Sequence, residues 1–111
     1  MQYLLLIYED EKRFAQGFDP AEMEQYGAFG QKNAGAIKGG NALQPTTTAK
    51  TVRVRNGEAV ATDGPFAETK EQLGGYYLVE ATSADEAVSM AAQIPGARFG
   101  SVEVRPIMVF S

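Results

Sequence analysis

The chain has 111 residues, 44% of them hydrophobic and 22% charged, a composition that belongs to ordinary globular proteins and excludes wholesale disorder. Its formal charge is −4 with acids and bases interspersed, so the basic stripe that a nucleic-acid partner requires is missing. Cysteine and histidine are both absent, which removes disulfides, thiolate nucleophiles, cysteine-type zinc sites and the commonest general base near neutral pH.

In chain order, the apolar run Tyr3 to Tyr8 (YLLLIY), closed by Glu9-Asp10-Glu11-Lys12, predicts a central strand covered on both faces. The apolar stretch Met1 to Tyr8 is too short to span a membrane and lacks the basic start of a signal peptide, so a cytoplasmic location without membrane contact is expected. Next comes DPAE. Asp19 suits a helix N-cap, Pro20 the first helical position and Glu22 the third position of a capping box. Met23, Tyr26, Phe29, Asn33 and Ile37 continue at helical spacing. Gly27, Gly30 and Gly35 weaken that helix by about 1 kcal/mol each relative to alanine, and are expected to admit a strand or second subunit at close range.

Ala36 to Gln44, with Gly39-Gly40 inside it, predicts a short strand with a bulge. Thr51 to Thr62 (TVRVRNGEAVAT) predicts a hairpin turning at Asn56-Gly57, a pair that tolerates the positive φ of a type I′ turn. That register sets Arg55 opposite Glu58 and Val54 opposite Ala59. It puts Val52, Val54, Ala59 and Ala61 on one face, expected to be buried, with Arg53, Arg55 and Glu58 on the wet one. Gly74 to Ala81 is a further strand by its aromatic and β-branched content. Ser83 and Glu86 form a second capping box opening a helix over Ala84 to Ile94, stopped by Pro95-Gly96. Ser101 to Phe110 alternates as a last strand, its later part at an edge because of Pro106.

The order is strand, helix, strand, hairpin, strand, helix, strand, with no linker or internal repeat. It predicts a single domain over 1–111 of class α+β, a ferredoxin-like split βαβ with an inserted β-hairpin. Two helices cover one face of such a sheet, and a second copy of the chain is the expected cover for the other: a homodimer.

Asp63 to Glu80 (DGPFAETKEQLGGYYLVE) resembles the signature of the DGPF group within the YCII-related proteins. The likeness extends to Gly39–Pro45, Thr51–Gly57 and Ser101–Ile107. The resemblance implies a dimeric α+β barrel. It also implies a protein whose activity is mostly unassigned in its group, with some members tied to extracytoplasmic-function sigma factors. Broader YCII relatives are proposed enzymes on small organic molecules with a His–Asp pair at the site. This chain has no histidine to supply that pair, and Asn41 stands where many DGPF proteins carry an acid.

Each candidate residue has a bland explanation beside its functional one. Asp63-Gly64-Pro65-Phe66 makes a plain corner in which Asp caps its own turn and Phe anchors the loop in the core. In the functional alternative Asp63 is an acceptor at the mouth of a cleft with Phe66 as its apolar wall. Glu68, Lys70 and Glu71 are expected on one or two helical turns, as a solvated cluster or a salt bridge across the dimer, with Lys70 as a grip on an anionic ligand in the functional alternative. Two acids alone make a poor metal site. Gly74-Gly75 matches neither of the glycine-rich phosphate patterns, so no cofactor and no metal is expected. Tyr76 and Tyr77 must point to opposite faces.

The function expected from these residues is a small-molecule-binding or regulatory accessory protein without a complete catalytic motif, leaning away from enzyme. Its ligand-binding candidates are Asp63, Phe66, Glu68, Lys70, Tyr8, Tyr77 and Arg53, and its expected ligand is a small anion. One alternative is an enzyme on a small anionic organic molecule with Asp63 or Glu68 as base. Another is a partner of a sigma factor, recognising it through a sheet edge or helix face.

Overall fold

A computed structural model describes residues 1–110. Its elements run β1 (Gln2–Glu9), a 3-10 turn (Glu11–Phe14), α1 (Pro20–Lys32), β2 (Ile37–Ala42), a second 3-10 turn (Thr46–Thr48), β3 (Lys50–Arg55) and β4 (Glu58–Asp63). They continue with β5 (Gln72–Glu80), α2 (Ala84–Ala91), a third 3-10 turn (Pro95–Arg98) and β6 (Ser101–Pro106). The main sheet has the order β2-β5-β1-β6 with every pairing antiparallel, while β3 and β4 form a separate two-stranded sheet. That is the ferredoxin-like split βαβ with an inserted hairpin, the subunit architecture of dimeric α+β barrels.

β1 is central, as its apolar run predicts, and its period of two decides where the core lies. Tyr3, Leu5 and Ile7 are buried on the helix side, where they meet Val79 of β5, Phe29 of α1, and Ala87, Met90 and Ala91 of α2. Leu4, Leu6 and Tyr8 point to the opposite face, alongside Leu73, Tyr76 and Leu78 of β5, and remain only half-buried. One face of the sheet is sealed and the other is open, so the expected cover on both faces is not supplied within the chain.

The local signals account for most element ends. Asp19 caps α1 by accepting the Ala21 N–H at 3.0 Å, and Pro20 follows at the first helical position. Asn33 ends it, its side-chain amide donating to the Phe29 carbonyl at 3.0 Å, so the helix stops short of Ile37, which belongs to β2. Ser83 accepts the Glu86 N–H at 3.1 Å, but the Glu86 carboxylate reaches Thr82, one residue before the cap. α2 ends at Ala91, and Pro95 opens a 3-10 turn. Asn56 and Gly57 hold φ of 53° and 80°, the mirror-image turn expected, with Arg55 paired to Glu58 and Val54 to Ala59. β2 carries the expected irregularity, between Ile37 and Gly39.

Three expectations fail, and a fourth is narrowed. The hairpin has no buried face: every residue of β4, and all of β3 except half-buried Thr51, is exposed. Phe66 does not anchor the corner in the core but stands 79% exposed. Glu68 to Glu71 forms no helix, because the chain is already bending into β5 at Gln72. A Cβ at Gly27, Gly30 or Gly35 would meet open space within the chain, which removes the close strand and leaves a second subunit as the neighbour expected there. Gly75 does serve close packing, since a Cβ there would stand 3.1 Å from the Asn41 carbonyl.

This burial map separates two large side chains sharply. Leu5→Ala removes a fully buried leucine from the central strand and is expected to cost about 2–5 kcal/mol. Phe66→Ala should stay within about 0.5 kcal/mol, as surface changes do. Urea denaturation of the two variants beside the parent checks both.

Candidate functional site

The inward alternation of β1 does not stop at Ile7. The next inward position is Glu9, which carries a carboxylate into the helix side of the sheet and is 5% exposed. The chain then turns through Glu11–Phe14, which returns Arg13 over it. Arg13 Nη1 donates to Glu9 Oε2, while Nη2 donates to Glu22 Oε2 at 2.8 Å. Glu22 sits in the first turn of α1 and its side chain is 9% exposed. It is therefore not bent back on its own helix end, as a capping box requires, but turned inward to the arginine.

One turn further along the same helix face stands Tyr26, whose hydroxyl oxygen accepts the Gly96 N–H at 3.2 Å. Gly96 has no room for a side chain: a Cβ there would collide with Glu9 Oε1 and lie 2.9 Å from the Tyr26 hydroxyl. The Arg13 guanidinium lies 3.8 Å from the Phe99 ring centroid, within cation–π range, and 5.0 Å from that of Phe14.

The electrostatics follow from this crowding. Desolvation pushes the Glu9 carboxyl above its usual range. The arginine pulls it back down without cancelling the shift, and Glu22 and Glu71 add to it. Burial alone would lower Arg13, but its hydrogen bond to Glu22 and the charges of both glutamates leave it raised. Tyr26 is pushed up to about 12 by burial and then by the charge of Glu9, so it remains a neutral hydroxyl with a proton to donate. Glu22 Oε1 is buried with no hydrogen-bond partner among the described residues. An acceptor of that kind costs on the order of 1–3 kcal/mol, more for a charged group, unless a donor reaches it.

A cleft of about 330 Å³ opens beyond Gln72, and none of Glu9, Arg13, Glu22 and Tyr26 lines it. Gln72 joins the cleft to the cluster, because it is the cross-strand partner of Glu9, on the same sheet face, and also lines the cleft. Thr46, Thr47, Gly64, Pro65, Glu68 and Thr69 form the rest of its main lining. Glu11 fastens one wall: its carboxylate accepts the Thr46 N–H at 2.7 Å and the Thr46 hydroxyl at 2.8 Å, while its own N–H donates to Gln72 at 3.0 Å.

Of the seven ligand-binding candidates read from the sequence, Glu68 alone lines this cleft, with Gly64 and Pro65 of the neighbouring corner. Asp63 has an 87% exposed side chain on β4 and pairs with Lys50 at 2.6 Å rather than capping its own turn. Arg53, Phe66 and Lys70 are exposed. Tyr8 faces the open side of the sheet. Tyr77 does point opposite to Tyr76, but its ring packs on Phe29 at 5.0 Å and burial raises its hydroxyl pKa. Glu9, Arg13, Glu22 and Tyr26 were not among the candidates. The signals for them were the strand alternation 3-5-7-9 and the shared helix face of Glu22 and Tyr26. No group of three or more Asp or Glu side chains among the described residues is placed to hold a metal ion. None of their helices is long and apolar enough to cross a membrane.

The YCII-related domain matches residues 1–111. The chain belongs to the YCII-related family. An uncharacterized protein of Rhizobium meliloti (strain 1021) is 41% identical over 117 residues, covering 99% of this chain and 94% of the relative. Among solved structures, 5-chloro-2-hydroxyhydroquinone dehydrochlorinase from Burkholderia phenoliruptrix AC1100, in complex with 2,5-dihydroxybenzoquinone, is similar with a TM-score of 0.59. It is 16% identical, with 97% of this chain and 94% of that chain covered, a likeness of fold alone.

The raised Glu9 pKa has a signed consequence. A carboxyl whose folded value lies above its unfolded 4.5 favours the fold in its protonated form. That contribution is complete below 4.5 and is lost as pH rises through the folded value. Glu9→Gln fixes a neutral side chain of the same shape. Urea midpoints measured from pH 4 to 8 should therefore show the variant gaining on the parent as pH climbs. Parallel curves would show that Glu9 has no shifted titration.

Proposed function

We propose that this YCII-related protein binds a small, hydroxyl-rich organic molecule at the carboxylate-lined end of its sheet, and that Glu22 exchanges a proton with it. The observation that carries this is Glu22 Oε1, a buried acceptor whose sister oxygen is held by Arg13 and which no donor of the chain reaches. A ligand hydroxyl supplies the missing donor. Tyr26, locked neutral, offers a proton to a ligand oxygen on which charge develops.

The charge at this end sets the ligand class. Glu9, Glu11, Glu22, Glu68 and Glu71 gather around the cleft and cluster, while Arg13 is already committed to two carboxylates. A neutral donor-rich molecule suits such surroundings and an anion does not, which reverses the anionic ligand expected from the sequence. Arg13, bridging Glu9 and Glu22 with the Phe99 ring on its guanidinium, is the group such a ligand would lie beside.

The similarity to a dehydrochlorinase favours a second reading, catalysis, in which Glu22 takes a proton from the bound molecule as a leaving group departs. The base is then Glu22 and not Asp63 or Glu68, because the Glu22 side chain is buried while theirs are exposed. The open sheet face, with half-buried Leu4, Leu6, Tyr8, Tyr76 and Leu78, supports a homodimer as the working form.

Thermal shift and calorimetry against hydroxylated aromatics and quinones, beside aliphatic carboxylates and phosphate, test the binding. Hydroxylated compounds should raise Tm with concentration, and Glu22→Gln should lose at least tenfold in affinity while keeping its far-UV spectrum. Shifts from the anions alone, or unchanged affinity in the variant, would sink the proposal. Conversion of a bound compound by the parent but not by Glu22→Gln separates catalysis from binding.

A further inference from the structure

The cleft beyond Gln72 is held together by bonds of its own. The Thr46 hydroxyl on one side donates to the Glu11 carboxylate at 2.8 Å, and the Thr69 hydroxyl on the other donates to the Glu71 carbonyl at 2.6 Å. Gln72 is bonded to both sides: its side-chain oxygen accepts the Glu11 N–H at 3.0 Å, and its side-chain nitrogen donates to the Thr69 carbonyl. The Gly64 N–H donates to the Ala49 carbonyl at 2.7 Å and so ties the stretch 64–69 to the loop that carries Thr46. A lining fixed in advance has less freedom to lose when a ligand arrives. At about 330 Å³ the cleft falls at the small end of the roughly 300–1,000 Å³ that ligand sites span.

The same bonds decide what the lining has left to offer. Thr46 and Thr69 each give their hydroxyl proton to the protein, so each faces a ligand with oxygen lone pairs. Glu68 adds a carboxylate. It is the one charged side chain on the lining, and among the described residues it enters no ion pair. Glu11 holds a second carboxylate against Thr46. No lysine or arginine lines the cleft: Lys50 is committed to Asp63, and Lys70 is exposed to solvent. The cleft therefore favours positive charge.

A metal ion suits it poorly. No three carboxylates among the described residues are placed to share one, and calcium takes about 6–8 oxygens. An ammonium group fits better, because it is all donor and stays charged at neutral pH. Pro65 and Ala67 give the same cleft an apolar stretch, which an inorganic ion would leave unused.

We propose that this cleft is a second binding site, which takes the protonated amino group of a small organic amine on Glu68, Thr46 and Thr69, with the carbon chain against Pro65 and Ala67. Glu68 is its counter-ion. The site shares no residue with the cluster of Glu9, Arg13, Glu22 and Tyr26, and it stands whether or not that cluster binds a ligand.

Heteronuclear NMR titration of the whole chain with butylammonium chloride tests it. The amide signals of Thr46, Thr47, Gly64, Glu68 and Thr69 should move and saturate, while butanol, sodium butyrate and potassium chloride at matched ionic strength leave them in place. Glu68→Gln changes an exposed position and keeps the fold. It should weaken the amine about tenfold, the loss expected for one hydrogen bond to a charged group. Glu58→Gln removes the same charge at the exposed hairpin turn and should bind the amine as the parent does. An equal response to butanol or potassium, unchanged affinity in Glu68→Gln, or signals that move only elsewhere in the chain would overturn the site.

Discussion

The alternation of β1 sends Tyr3, Leu5, Ile7 and then Glu9 to the same side of the sheet, and the last of these is a charge. A lone carboxylate in that apolar layer is costly. The structure meets the cost with Arg13, brought back over the sheet by a single 3-10 turn, and the arginine in turn recruits Glu22 from the first turn of α1. One cation between two buried anions is an arrangement whose desolvation can exceed its Coulombic gain. Its contribution lies less in stability than in fixing how the strand end, the turn and the helix start meet. The residual imbalance is visible in the Glu9 pKa, still raised beside a guanidinium, and in the Glu22 oxygen that nothing in the chain satisfies.

That imbalance leaves the cluster with hydrogen-bonding capacity its structural role does not use. A pair kept only to hold the fold would be expected to close its hydrogen bonds. Here Gly96 is kept bare between Glu9 and Tyr26, where a methyl group would fill the gap and push the two apart. Tyr26 spends its oxygen on the Gly96 N–H, and no acceptor among the described residues takes its proton. A spare acceptor on Glu22 and a spare donor on Tyr26 stand one helical turn apart on the same face of α1.

The fold was legible because its signals are local. The Asn56-Gly57 turn, the caps at Asp19 and Ser83 and the alternation of β1 each act within a few residues, and each appears where its chemistry requires. The site was not legible for the opposite reason. Glu22 is a good residue for a helix start, and nothing nearby in sequence says that Arg13 will claim its carboxylate. Glu9 looked like the polar end of a strand, although counting inward positions past Ile7 places it inside. Asp63 was conspicuous for its turn chemistry, yet it caps no turn and stands in an exposed cross-strand pair with Lys50 worth roughly 0–1 kcal/mol.

The signature run from Asp63 to Glu80 thus changes meaning without losing importance. Asp63 and Gly64 close the root of the hairpin, and Gly64, Pro65, Ala67, Glu68 and Thr69 then line the cleft. Gln72 carries the strand back beside Glu9, and Gly75 lets β2 come close. A residue pattern this dense is needed because three things must be set within one short stretch: the angle of the hairpin, the wall of a cleft and the register of β5 on β1. Asp63 and Glu68 stay exposed along it. The groups that can be desolvated lie one strand away, under the arginine.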